Sequence, residues 1–148
     1  MKIIVFIIVV LLCFCNLSSA LSEKENIELQ DQCGKQADVF FKAMYDPYRT
    51  IGETTVISKY HSHYNSKLNK CFIRIDDIHY DKRSMEIKED NAYHIYDVNS
   101  HLDFGDCSKF SDSSQTKICW FLDENLVHIN CGKLNYRWFT QINKYMSE

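Results

Sequence analysis

Apolar positions change period along this chain, and each change marks an element. Residues 3–14 form an almost unbroken apolar run behind the positive start Met1-Lys2. From about residue 22 to 45, Cys33, Ala37, Phe40, Phe41 and Met44 recur at spacings of three and four, which makes one helical stripe. Lys35, Asp38 and Lys42 take the other faces, and Asp46-Pro47 stops the helix because the residue before proline resists helical geometry. Residues 46–53 read as a loop containing Gly52. The period then drops to two. Val56, Ser58, Tyr60, Ser62 and Tyr64 fall on one face, and Ile57, Lys59, His61 and His63 on the other. A polar turn over 65–69 and a second strand over 70–78, with Cys71, Ile73 and Ile75 on its apolar face, complete a hairpin.

Asp81-Lys82-Arg83 reads as another turn. Strands over 84–89 and 91–98 follow, joined at Glu89-Asp90-Asn91, and residues 99–116 form a Ser/Asp-rich loop. A fifth strand covers 118–122, then a turn over 123–125 and a short extension over 126–129. From Gly132 a terminal helix places Leu134, Trp138, Ile142 and Tyr145 on one face. The pattern predicts an α+β domain over 21–148: an N-terminal helix, an antiparallel meander of about five strands and a C-terminal helix, stapled by disulfides. Both helices are expected on one face of the sheet. The other face is left half-polar and rich in Tyr and His, and function is expected there.

The first segment is read differently from the rest. The positive start, the short apolar run and the small residues Ser18-Ser19-Ala20 form a secretory signal over 1–20, with cleavage before Leu21. The run is shorter than the ~20 residues that span a bilayer. Cys13 and Cys15 sit where a lipoprotein cysteine would, but Leu12 and Phe14 precede them in place of the small residue that lipid modification needs. A secreted or periplasmic location follows.

Composition narrows the function classes. Removing twenty residues from 148 leaves 128, the length of one domain with a genuine core. The mature part loses only Lys2 among its charges, so 16 basic and 20 acidic side chains give a net charge of −4. That balance argues against nucleic acid and against a polybasic membrane-surface protein. With four glycines and one proline the chain lacks a Gly-rich phosphate cradle. Nine Tyr and nine Phe suit half-buried strands, and equally suit binding faces that need an apolar ring with a polar tip.

Five cysteines remain after the leader: Cys33, Cys71, Cys107, Cys119 and Cys131. An oxidising compartment should pair four of them. Cys33 with Cys71 would tie the first helix to a central strand, and Cys131 with Cys107 or Cys119 would staple the last helix. No Cys-x-x-Cys pair is present, so the bridges read as structural. The odd thiol is expected to be buried and inert, with covalent dimerisation as the alternative.

The string Tyr60-His61-Ser62-His63-Tyr64-Asn65, followed by Lys67-Leu68-Asn69-Lys70-Cys71-Phe72, resembles a motif of short, uncharacterised secreted proteins of bacteria. In those chains an early helix carries a cysteine, as Cys33 does here, and a late cysteine precedes a terminal helix ending near Tyr145-Met146. The resemblance implies a periplasmic or extracellular domain of this architecture. It implies no activity, so no functional residue comes with it. Asn65 and Asn69 suit a left-handed turn, while Tyr60, His61, His63, Tyr64 and Asn65 offer polar tips for a ligand at the hairpin end.

Catalytic constellations are sparse. His61 and His63 point the same way on a strand and could hold a metal with Asp76, Asp77 or His79, the recipe of a small hydrolase. No Gly-x-Ser-x-Gly elbow is present. Asp76, Asp77, Glu86, Glu89 and Asp97 supply carboxylates by count, but a small twisted sheet offers little cleft. His79, His94, His101 and His128 carry no assigned role, and Trp120 and Trp138 read as core contacts. The expectation is an exported binding module without enzymatic activity, catalytic residues or cofactors, whose partner is another protein. An inhibitor of a secreted enzyme and an accessory protein of the cell envelope both fit. A metal-dependent hydrolase and a structural envelope protein stand as alternatives.

Overall fold

Ser22 opens the first helix, α1 (Glu23–Met44), through a reciprocal capping box. Its hydroxyl accepts from the Glu25 amide, and its own amide donates to the Glu25 carboxylate at 2.9 Å. The computed structural model describes residues 22–84, 87–109, 119–131 and 135–147. The expected leader, Glu86 and residues 110–118 lie outside that set, as does the side chain of Glu89.

The strands follow in chain order as β1 (Tyr48–Ile51), β2 (Thr54–Asn65), β3 (Lys70–Asp81), β4 (Ile87–Asp97), β5 (Leu102–Lys109), β6 (Cys119–Leu122) and β7 (His128–Asn130), before the last helix, α2 (Asn135–Tyr145). They pair antiparallel in that same order and form a seven-stranded meander. The α+β class and the helix–meander–helix order are therefore as the pattern predicts, with two more strands than expected. The central hairpin is regular from Thr54 opposite Asp81 to Asn65 opposite Lys70. Asn69 takes the left-handed turn position at φ +51°.

Three differences in the strands have local causes. The loop expected over 46–53 contains β1, which returns into β2 through Gly52 at φ +61°. The turn read at Glu89-Asp90-Asn91 is a bulge inside one long strand. Tyr80 pairs with Ile87 and Ile78 with Asn91, so three residues of β4 lie opposite His79 alone. Much of the loop expected over 99–116 is β5. Its alternation is masked by a second bulge, because Asp103 pairs with Tyr96 and Gly105 with Ile95, which leaves Phe104 as the extra residue.

The helices lie on opposite faces of the sheet, which corrects the expectation of a single helical face. Cys33, Ala37, Phe40 and Phe41 of α1 pack on Tyr64, Cys71, Ile73 and Ile75. Trp138, Ile142 and Tyr145 of α2 pack on Phe72, Ile95, Phe104 and Phe121. Alternation on β3 sends Cys71 and Ile73 to one helix and Phe72 to the other, and all three are at most 2 % exposed. A strand apolar at consecutive positions is one covered on both sides. Each helix covers only part of its face, α1 over β2 and β3 and α2 towards β6.

The covalent ties also differ in part from expectation. Cys33 and Cys71 bridge α1 to β3, the expected tie of the first helix to a central strand. The second bridge joins Cys107 to Cys119 and leaves Cys131 as a buried free thiol, so Cys131 is not a disulfide cysteine here. The register explains it: Cys107 and Cys119 stand directly opposite each other in β5 and β6.

Beyond its short pairing with β1, strand β2 exposes a sheet edge. The Gln30 carboxamide of α1 reaches it, accepting from the Tyr64 amide at 2.9 Å and donating to the Ser62 carbonyl at 3.5 Å. One side chain thereby satisfies both a donor and an acceptor of an edge that would otherwise template strand addition.

Candidate functional site

The hairpin residues do not converge on one surface. Tyr60 and Tyr64 lie under α1. The Tyr60 hydroxyl donates to Asp38 at 3.2 Å while its ring packs 4.7 Å from Phe41. Tyr64 is buried and donates to Asn69 at 2.7 Å. His61 and His63 have Arg74 and Phe72 as register partners, which puts them on the α2 face. His61 is exposed, 3.8 Å from Asp76, and His63 borders a shallow recess with Asn26, Ile27, Gln30 and Asp31 at the strand edge. Asn65 is buried and turned to the end of α2.

The ligand set considered for a metal is likewise divided. Asp77 pairs with Ser58 and His79 with Val56, both on the α1 face, opposite to His61 and His63. Asp76 shares the histidine face, but Arg74 holds it through two hydrogen bonds of 2.8 and 3.0 Å. Among the described residues no group of three or more His, Cys, Asp or Glu is placed to hold a metal ion.

A different constellation assembles where α1 ends. Pro47 follows the helix, and the part of this face over β4, β5 and β6 carries polar side chains. Register places Ala92, His94 and Tyr96 of β4 beside Ser108, Asp106 and Asp103 of β5, with Trp120 of β6 next to Asp106. The Tyr45 and Tyr96 hydroxyls share a hydrogen bond of 2.9 Å, and His94 Nδ1 lies 3.0 Å from Asp106 Oδ2. The His94 ring is 6.3 Å from Tyr45 and 6.5 Å from Tyr96, and Trp120 stacks on His128 at 4.9 Å. At the flank, Arg49 donates to Ser58 at 3.0 Å and to Asp77 at 2.5 Å, while Ser58 donates to Asp77 at 2.6 Å. That network closes the buried Asp77 charge with the Arg49 cation and the Ser58 hydroxyl.

Electrostatics give the patch an acidic excess. Burial works against protonation of His94, but the hydrogen bond to Asp106 and the charges of Asp106, Asp77 and Asp103 outweigh it, so its pKa is raised. Asp103 is pushed up by burial and by Asp106, against the pull of the Gly105 amide and of His94. Among the described residues no Lys or Arg lies at ion-pair distance from Asp103. The Tyr45 phenol is held protonated by burial and by its bond to Tyr96. The result is a half-buried rim of hydroxyls and rings around carboxylates, which can accept hydrogen bonds and attract a cation.

His94 and the β5 carboxylates carry no role in the sequence reading. The signal is weak: His94-Ile95-Tyr96 alternates, yet its partners fall inside a stretch whose Ser/Asp composition reads as loop. The bulge at Phe104 spaces Asp103 and Asp106 by three, so simple alternation cannot put them on one face. Among the described residues no helix is long and apolar enough to cross a membrane. No protein-family model matches the chain, and neither the curated proteins nor the solved structures compared with it provide a match.

Proposed function

We propose that the protein is an exported, disulfide-stabilised binding module without catalytic activity, and that it captures a protein partner on the open half of the α1 face. The observation that carries this reading is the acidic and aromatic patch built by Tyr45, His94, Tyr96, Asp103, Asp106 and Trp120 beyond the end of α1. Half-buried Tyr and Trp rings supply contact area at small entropic cost, and Asp103, with no Lys or Arg at ion-pair distance among the described residues, favours a basic side chain. Two disulfides within the cores, together with the leader pattern over 1–20, support the secreted or periplasmic assignment.

The test is an NMR titration of the leaderless oxidised protein with Arg/Lys-rich peptides, and with Asp/Glu-rich peptides as the control. Basic peptides should shift the amides of His94, Tyr96 and Asp106 and the Trp120 indole. The double variant Asp103→Asn with Tyr96→Phe should weaken that binding by about tenfold, the loss of one good polar contact. Equal response to acidic and basic peptides, or shifts confined to residues 60–65, would overturn the patch. The second pattern would move the binding surface to the hairpin tip.

A further inference from the structure

Cys107, Cys119 and Cys131 stand in one row across the sheet. Cys107 and Cys119 are register partners. Trp120 opposite Asn130 puts Cys131 opposite Cys119, one step beyond β7, and the Cys131 amide donates to the Cys119 carbonyl at 2.8 Å to hold that register. All three are at most 5 % exposed and belong to the core beneath α2. Facing residues of antiparallel strands have Cα atoms roughly 4.5–5.5 Å apart, within the roughly 4.4–6.8 Å that a disulfide spans. Cys119 thus has an eligible neighbour on each side. Cys107 and Cys131 are two strand spacings apart, roughly 9–10 Å, too far to pair without moving the backbone.

We propose that Cys119 exchanges its disulfide between Cys107 and Cys131, shifting the bridge by one strand within the folded sheet. The Cys131 thiol gives its proton to solvent, and the thiolate attacks Cys119 Sγ. The Cys131–Cys119 bond forms as the Cys119–Cys107 bond breaks. The electron pair leaves on Cys107 Sγ, which takes up a proton. One bridge and one thiol remain, so no oxidant or reductant is consumed. The exchange moves the covalent tie from the β5–β6 pair to the β6–β7 end and opens the loop closed between Cys107 and Cys119. Burial raises the Cys131 thiol, so the exchange is slow near neutrality and accelerates towards alkaline pH.

The sequence provides the readout. Lys109 and Lys117 separate Cys107 from Cys119, whereas Cys119 and Cys131 share the tryptic peptide 118–133. Wild-type protein is held at alkaline pH without reductant. It is then quenched, unfolded and alkylated with maleimide at mildly acidic pH, and digested without reduction. The expected result is two pools: peptide 118–133 crosslinked to the Cys107 peptide, with Cys131 alkylated, and peptide 118–133 closed on itself, two hydrogens lighter, with Cys107 alkylated. Cys131→Ser, which lacks the attacking thiol, should retain the first linkage alone. Cys107→Ser should retain two bridges per chain, the second within peptide 118–133. Wild type that yields no closed peptide 118–133 overturns the proposal, whether or not Cys107→Ser folds.

Discussion

The Asn65 carboxamide, at the end of β2, donates to the backbone carbonyl of Tyr145 at 3.3 Å and so ties the central hairpin to the last turn of α2. The same nitrogen lies 3.2 Å from the Lys144 carbonyl and 3.5 Å from that of Ser147, while its oxygen accepts from the Leu68 amide at 3.0 Å. One buried side chain thereby fixes the 65–69 turn and satisfies carbonyls that the helix end cannot satisfy internally. Replacing Asn65 with Ala leaves those groups without a partner and is expected to cost about 2 kcal/mol. Urea denaturation checks this, and a loss under about 0.5 kcal/mol would mean the carboxamide is dispensable to the fold.

Stability should depend on pH through the patch on the α1 face. His94 holds its proton more tightly folded than unfolded, so its contribution is complete below the ordinary histidine value of 6.5 and fades as pH rises through the raised folded value. The groups facing it are Asp106, Asp103 and Asp77, the last paired with Arg49, together with the protonated phenols of Tyr45 and Tyr96. Asp103 is also shifted upward, so it adds a decline with the same sign from the carboxylate range upward. Melting temperature should therefore fall as pH climbs past about 6.5, and His94→Gln should flatten that limb. An unchanged slope in His94→Gln would place the titrating group elsewhere.

Acid should destabilise the protein through a different residue. Burial opposes ionisation of Asp97, but hydrogen bonds from Lys70, Ser100 and Asn99 and the Lys70 charge outweigh it and lower its pKa. Lys70 Nζ lies 2.5 Å from the carboxylate. The contribution is present above the ordinary value of 3.8 and is lost as pH falls through the lowered folded value. Asp97→Asn should remove that part of the acid limb and destabilise the neutral protein, because Lys70 loses its counter-ion. Melts of both proteins at acidic and neutral pH test this, and parallel curves would count against it.

Gly105 is required by close approach. A Cβ there would stand 2.9 Å from the Trp120 carbonyl oxygen, 3.1 Å from Trp138 Nε1 and 3.3 Å from Phe121 Cα. Two of these are backbone atoms of β6 and cannot rotate away, so Gly105→Ala must spread β5 from β6. The expected cost is roughly 1–3 kcal/mol, the range for overpacked cores. Thermal unfolding at neutral pH would show it as a lowered melting temperature, and an unchanged one would mean the strands separate freely there.

The Cys33–Cys71 bridge closes a sequence separation of 38 residues between α1 and β3. Loop-closure entropy sets its contribution at about 4 kcal/mol. Cys33→Ala with Cys71→Ala should lose about that much in urea. A loss under about 1 kcal/mol would mean that packing of Phe40 and Phe41 alone holds α1 in place.

Local periodicity determined the elements that depend on local chemistry. The Cys33–Met44 stripe with its stop at Pro47 specifies α1, and the alternation over 54–64 with the Asn-rich turn specifies the central hairpin. The Cys33–Cys71 tie joins those two elements and is suggested by the same pattern. Tertiary structure decided what depends on register and on the side from which each helix approaches. The bulge opposite His79 adds two residues to β4, and the bulge at Phe104 adds one that shifts the face of everything beyond it, so composition read Glu89-Asp90-Asn91 as a turn and β5 as loop. Register, rather than spacing, set Cys119 between Cys107 and Cys131. The His94, Tyr96, Asp103 and Asp106 patch exists only because α1 and α2 take opposite faces and leave part of each uncovered. A helix stripe records that a face is buried, but not against which side of the sheet, because two alternating faces of one strand can each receive a helix.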